Sequence, residues 1–507
     1  MKKINYIIPF VVLIFLMSSC TEDFLEMNTD PNSPVDVPLA NHLAGAMISF
    51  DGGSMVMTNS DPWMVSCRYF ARRWQSTYNP DVSNTFSNLT SSNWGGYYAA
   101  LADLNFIIAK ATEAEAYNMV AAALTYKAEI TQIYTDRYGE MPYTEAAKAA
   151  EDVLRPAYDD QPSIYAAIIS DLKTAADYFN AGHSDDIGSV EPFYSGDVSQ
   201  WQKLCNSLRL RVAARISNVD EAGATAIISE VLGTPSDYPV METWEDAAEI
   251  IYGGQGTNYT IGFWYWNNLL WHSGPTFYLI DTLKHYNDPR LERICVPAPI
   301  DGEYRGTTEI GRHPDFPETD QLSYFNENYY VVNNTTGPNI HYRNSELDFL
   351  LAEFNVRGLA SGGDAVAQQA YEDGIYSSMK EMSIMMGGTP AQIDDAVIEA
   401  YLAEPDVAWG GGTEQEKLGK IWIQKWIAMC FMRNEPWAEM RRTDVPNWGI
   451  ARGSYYDGHN RDPFRLPYPA DEELMNSENS APYFESMYAG DYLWGGQLWW
   501  DTRTGVQ

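Results

Sequence analysis

The sequence predicts a mainly α protein: tetratricopeptide-like helix pairs forming a right-handed superhelical scaffold with irregular, loop-rich insertions. Three observations predict it. Apolar residues recur at helical spacing in two blocks, about 39–232 and 344–434. The helix pairs return at intervals of roughly 35–40 residues, the period of stacked helical hairpins. Between and after these blocks, residues 233–343 and 435–507 lose that spacing and gain Gly, Asn, Pro and aromatic residues.

Element by element, Asp61-Pro62 reads as an N-cap and first helical residue, opening a helix through Arg73. Leu101, Leu104, Ile108 and Ala111 mark the next helix, and Ala123, Tyr126, Ile130 and Ile133 its antiparallel partner. Trp94, Tyr97 and Tyr98 open the first of these and read as core. A helix follows from about Ser163 to Phe179, then one carrying Leu204, Leu208, Val212 and Ile216, then one from about Ala222 to Leu232. In the later block Leu347, Leu350, Leu351 and Phe354 define one helix, and Tyr371, Ile375, Met379 and Met382 the next. Thr389-Pro390 is expected to start a third, and Ile421, Trp422, Trp426 and Met429 lie on a fourth. The Gly-rich, acidic tract from Ala403 to Gly412 reads as a surface loop.

The ends and the charge narrow the function. Lys2-Lys3, an apolar run from Ile7 to Met17 and Ser18-Ser19 make a secretory signal over residues 1–19. The run is too short for a bilayer core that needs roughly 20 residues. Met17-Ser18-Ser19-Cys20 resembles a bacterial lipoprotein box, in which Cys20 becomes the acylated first residue. Residues 20–38 then form a Pro/Asn/Asp tether, and residues 39–507 are expected to be one domain. The formal charge of −36 falls to −38 when Lys2 and Lys3 leave with the signal. A body that acidic is repelled by nucleic acid and by anionic headgroups. Cys67, Cys205, Cys295 and Cys430 remain, widely spaced, and read as buried free thiols rather than a disulfide framework.

Chemistry concentrates in aromatic residues, which form 13% of the chain. Trp264, Tyr265, Trp266, Asn267, Asn268 and Trp271 lie together in the first insertion, after Gly253, Gly254 and Gly256. Flat rings beside side-chain amides suit a sugar, whose C–H faces stack on indole while its hydroxyls bond the amides. The same rings could instead plug the insertion onto the scaffold. Trp74 and Tyr78 form a second candidate stretch facing the same pocket. Tyr329 and Tyr330 could lie at its rim, whereas Trp494, Trp499 and Trp500 read as anchors of the tail.

Signatures of catalysis are few. The seven histidines include no HExxH, and no GxSxG elbow or Walker loop occurs. No metal or cofactor site is read. Asp185-Asp186 and Asp394-Asp395 are adjacent acids of the kind a glycoside hydrolase could use. In a chain with 69 acidic residues such pairs arise as solvated faces.

Pieces spread along the whole chain belong together: Cys20 with Asp23 to Glu26 and the Asn28 to Pro31 tether; Asp136-Arg137-Tyr138-Gly139-Glu140-Met141-Pro142-Tyr143; and Trp201 with Asn206 to Arg211. Tyr286-Asn287-Asp288-Pro289-Arg290-Leu291, Ser345-Glu346 with Leu350 to Glu353, Gln424 to Ala428, Glu435 to Arg442 and Arg465-Leu466-Pro467-Tyr468-Pro469 complete them. In this order they resemble the SusD/RagB family of nutrient-binding outer-membrane lipoproteins. The resemblance implies four tetratricopeptide-like helix pairs carrying an irregular binding face. It also implies no enzymatic activity, and a SusC-like TonB-dependent barrel as partner, over whose mouth the lipoprotein closes. Glu22 and Asp23 look like the family's surface-export signal, which implies lipid anchoring at the outer membrane, facing the cell exterior. The expected ligand is oligosaccharide or polysaccharide, with peptide as the alternative and glycoside hydrolysis as a further one. The motif residues look like scaffold, so none is carried over as a ligand contact.

Overall fold

A computed structural model of the protein describes residues 37–54, 71–73, 94–250, 273–306, 315–316, 318–326, 331–332, 335–336, 339–384, 393–430, 432, 434–447, 458–488, 491 and 494–506. The first helical block comprises α1 (Leu39–Ser54), a short strand β1 (Ala71–Arg73), α2 (Trp94–Glu113), α3 (Tyr117–Tyr138), α4 (Gln161–Asn180), α5 (Val198–Ile216) and α6 (Glu221–Gly233). Next come β2 (Ala248–Ile250), β3 (Ser273–Pro275), α7 (Phe277–His285), α8 (Leu291–Ile294), β4 (Cys295–Val296), β5 (Tyr324–Phe325), β6 (Val331–Val332), β7 (Thr335–Thr336) and β8 (Asn339–Tyr342). The second block is α9 (Asn344–Val356), α10 (Gly363–Ile384), α11 (Asp395–Leu402) and α12 (Glu414–Ala428), followed by α13 (Glu435–Thr443), α14 (Ala470–Met475) and α15 (Ser477–Tyr488).

Local chemistry sets the helix ends. Asp160, Asp197 and Asp220 are the N-caps of α4, α5 and α6. Their carboxylates accept from the backbone N–H of Ser163 (2.8 Å), Ser199 (2.9 Å) and Gly223 (2.9 Å). Thr413 and Glu416 close a capping box on α12. Gly139 ends α3 at φ 79°, where a Cβ would stand 2.8 Å from Arg465 Nη1, so the turn admits no larger residue. Each helix from α1 to α5 packs on its successor; α5 also packs on α9, which in turn packs on α10 and α12. That neighbour-on-neighbour order is the one predicted for stacked hairpins. One apolar core runs through α1–α6, a second lies beneath α7, and a third fills the space among α9–α12. Trp94 and Tyr97 are buried at the start of α2, and Trp494 and Trp500 are buried at the chain end, as anchors.

Several boundaries differ from expectation. Ala71–Arg73 is not the end of a helix but a strand, antiparallel to Ser273–Pro275, because a partner 200 residues away outweighs local helical preference. The expected start of that helix, Asp61-Pro62, lies outside the described residues, as does Thr389-Pro390. The helix expected to begin at Thr389-Pro390 starts instead at Asp395, with Asp394 as N-cap. The tail expected to be irregular contains three helices; Pro436 sits in the first turn of α13, where a proline starts a helix rather than breaking one. Within the 403–412 loop, Val407 and Trp409 turn inward and are buried. Cys205, Cys295 and Cys430 are buried free thiols, and Cys67 lies outside the described residues.

The two blocks are joined by buried charge. Arg442 forms paired bonds to Glu353, with Nη1 to Oε1 and Nη2 to Oε2 both at 2.6 Å, and also reaches Glu439 at 2.7 Å. Lys425 meets Glu439 at 2.8 Å, and Arg215 lies 2.5 Å from Glu435 and 3.4 Å from Asp136. Arg211 pairs with Glu346 at 2.6 Å. Arg441 stacks over the Trp437 ring at 3.6 Å and donates to the Asp136 and Phe464 carbonyls. Burial alone would raise the Glu353 carboxyl, but the Arg442 guanidinium beside it prevails and holds it at about 2. A second buried cluster centres on His341 of β8, whose Nδ1 is 2.7 Å from Glu129 and Nε2 3.1 Å from Asp51. Burial pushes that imidazole down, yet the two carboxylates outweigh it and lift it to about 9.

Two predictions follow from this chemistry. Replacing Arg442 by Met takes the paired partner from buried Glu353 and leaves Glu439 with Lys425 and Glu353 with Arg357, and should cost about 3–5 kcal/mol in urea unfolding. Stability should fall at both pH extremes. Glu353 contributes above its unfolded value of about 4.3 and loses that contribution as pH drops towards about 2. His341 contributes fully below its unfolded value of about 6.5 and loses it as pH rises through about 9. The alkaline loss should vanish in a His341→Gln variant when melting is followed against pH.

Candidate functional site

The candidate site is built on α7. Thr276 caps the helix, its hydroxyl accepting from Leu279 N at 3.4 Å. Gly306 passes so close that a Cβ there would stand 2.1 Å from Phe277 N, which fixes the position of the helix start. Leu279, Ile280 and Leu283 are buried and hold one face on Ile294, Cys295, Phe325 and Ile427. Phe277, Asp281 and His285, four residues apart, form a stripe on the other side, with Tyr278, Thr282 and Tyr286 alongside. These six residues and Ile423 of α12 line an open cavity of about 350 Å³.

A buried ion pair stiffens the far end of the site. Arg290 is fully buried and binds Asp288 through Nε at 2.9 Å and Nη2 at 2.6 Å, while its Nη2 also reaches Gln424 of α12 at 2.6 Å. Tyr401 of α11 donates to the same Asp288 at 2.8 Å. The turn after α7 is thereby tied to the two helices that face it. Phe277 and Tyr278 lie with ring centroids 4.0 Å apart, and His285 and Tyr286 4.8 Å apart. The His285 imidazole lies 3.6 Å from Asp406 in the 403–412 loop. Burial and the charge of Asp406 raise the Tyr286 phenol above its ordinary value, so it stays neutral and able to donate. Rings at the mouth of a cavity, with hydroxyl, imidazole and carboxylate groups between them, can grip a polar ligand that also has apolar faces.

Trp264, Tyr265, Trp266, Asn267, Asn268, Trp271, Trp74 and Tyr78 lie outside the described residues, as do Cys20, Tyr329 and Tyr330. The antiparallel register nevertheless relates the two aromatic stretches by chain connection. Arg73 pairs with Ser273. Trp74 follows Arg73 directly and Trp271 precedes Ser273 by two residues, so the two stretches attach at the same end of one short ladder. The other end leads through Thr276 into α7. The stripe on α7 was not singled out from the sequence. Its signal is the spacing of Phe277, Asp281 and His285 opposite the apolar Leu279, Ile280 and Leu283, within a tract otherwise poor in helical pattern.

The adjacent acids have structural partners. Asp185 accepts from Asn118 N and Met119 N, both at 3.1 Å, and so caps α3, while Asp186 accepts from Gly188 N at 2.8 Å. Asp394 occupies the N-cap position of α11 without a side-chain capping bond, and Asp395 pairs with Lys380 at 2.7 Å. Among the described residues no group of three or more His, Cys, Asp or Glu could hold a metal ion, and no helix is long and apolar enough to cross a membrane.

Residues 55–469 match the SusD-like family described as starch-binding and associating with the outer membrane. Among solved structures the chain is similar to a chitin-binding protein, at 28% identity and a TM-score of 0.75, covering 92% of this chain and 100% of that one. A SusD-like protein designated Bacteroidetes AC2a superposes at 23% identity, with the same TM-score of 0.75 and the same coverage of 92% and 100%. A SusD homologue from Bacteroides fragilis does so at 22% identity, again at 0.75 and with 92% and 100% covered. No curated protein matches the chain. The fold is thus the tetratricopeptide-like, mainly helical one, and the chain belongs to the SusD-like family.

Proposed function

We propose that the protein is a lipoprotein of the outer-membrane surface, anchored through Cys20, that binds oligosaccharide or polysaccharide and delivers it to a SusC-like TonB-dependent transporter. The observation that carries this reading is the β1–β3 register. Arg73, which precedes Trp74 in the chain, pairs with Ser273, which follows Trp271 by two residues, and the ladder leads through Thr276 into α7; this supports a shared site. Such a ladder spans roughly 10 Å, about the length of two sugar rings. In this reading Trp264, Tyr265, Trp266 and Trp271 stack on pyranose faces and Asn267 and Asn268 bond hydroxyls. Trp74 and Tyr78 add a second lip, and Phe277 and Tyr286 extend the platform. The likeness to a chitin-binding protein supports a glycan ligand. In this reading the protein holds its ligand without cleaving it, which is supported by Asp185 receiving two backbone N–H groups of α3 and Asp395 pairing with Lys380. Modest affinity suffices, because docking on a transporter turns release into a local transfer at high effective concentration.

Each ring stack contributes on the order of 1 kcal/mol. Replacing Trp264 and Trp266 together by Ala should therefore weaken retention on immobilised polysaccharide about tenfold or more, and replacing Phe277 and Tyr286 should do so to a similar degree. Circular dichroism should stay unchanged. Unaltered retention in both variants rejects the site. Release of labelled fragments from a polysaccharide by catalytic amounts of purified protein rejects the binding reading in favour of a hydrolase.

A further inference from the structure

The cavity on α7 carries an electrostatic signature that a site for plain neutral sugar does not require. Its lining residues include three aromatic rings, Asp281 and the His285 imidazole, which carries positive charge only when protonated, but neither lysine nor arginine. Asp406 stands at the mouth, 3.6 Å from His285. Glu404, from the same loop, accepts from Asn287 just beyond Tyr286 at 3.4 Å. The nearest lysine on the helix, Lys284, extends away from the lining towards the Tyr304 carbonyl at 3.4 Å. Arg305 is engaged with Asp301 at 2.5 Å. Behind the site stands a chain of formal charge −36.

Aromatic faces and carboxylates both favour a cation. The ring quadrupole attracts an ammonium group above its face, and a carboxylate beside it adds a charge-assisted hydrogen bond. An anionic group placed there meets repulsion from both. From this geometry we infer that the α7 cavity selects glycans bearing free amines, that is, oligosaccharides of unacylated amino sugars, over neutral glycans and against uronate or sulfated ones. A sugar ring covers Phe277 or Tyr286 while its ammonium lies between Asp281 and Asp406. This inference rests on the glycan-binding reading above and narrows it to one substrate class.

Binding of the full chain to four probes by calorimetry at mildly acidic pH tests it: a glucosamine oligomer, the N-acetylglucosamine oligomer of equal length, a galacturonate oligomer and a lysine tripeptide. The glucosamine oligomer should bind about tenfold more tightly than its acetylated counterpart, and the galacturonate oligomer should bind weakest. That ratio should shrink when salt is raised from about 50 mM to about 500 mM. It should fall towards one in the double variant Asp281→Asn and Asp406→Asn. Equal affinity for the charged and acetylated oligomers, or a preference for galacturonate, overturns the inference and leaves the glycan reading standing. Tight binding of the lysine tripeptide with no gain from sugar rings overturns the assignment to a sugar. Failure of every oligosaccharide to bind removes both readings together.

Discussion

Arg442, Glu353, Glu439, Lys425, Arg215, Glu435 and Asp136 form a chain of charges with almost no access to water. They come from five helices, α3, α5, α9, α12 and α13. Placing so many ions in a low-dielectric interior is costly unless every partner is in position, because a single missing charge leaves another uncompensated. The network therefore tolerates one arrangement of those helices and penalises the rest. It reaches further through neighbouring contacts. Trp500 donates to Asp136 at 2.8 Å, Arg465 pairs with Glu140 at 2.6 Å, and Leu466 N donates to the Arg137 carbonyl at 2.7 Å. The C-terminal tail is thereby sewn onto α3, far from it in sequence.

A base held this way gives the site its stiffness. The α7 helix rests on an apolar core at one face, and its following turn is pinned by Asp288 and Arg290 to α11 and α12. A platform whose rings are already oriented loses little freedom when a ligand arrives, so more of the contact energy appears as affinity. Charge and aliphatic packing define the frame on which the proposed platform rests.

Helices with regular apolar spacing were legible, and so was their stacking, since periodicity reports local structure directly. Several of the segments that resemble the family supply the buried charges. Asp136, Arg211, Glu346, Glu353, Lys425, Glu435, Glu439 and Arg442 all lie in the quoted stretches, and their burial accords with a scaffold role. Their mutual pairing was not legible, because it joins positions up to some 300 residues apart. The same distance hid the strand at Ala71–Arg73, whose partner lies in the other half of the chain. Of the site, sequence composition picked out tryptophan and asparagine but passed over the stripe on α7. Phe277, Asp281 and His285 share no residue type, and only helical geometry places them on one line.

On the proposed function, a charge-locked frame stays fixed while an aromatic platform beside it takes up glycan. Hydrogen–deuterium exchange of the full chain with and without a bound oligosaccharide tests this most directly. Added protection should appear at 264–286 and around Ile423, with exchange at Asp136, Arg215, Glu353 and Arg442 unaltered. Protection that changes across those buried charges while α7 remains as it was would contradict it.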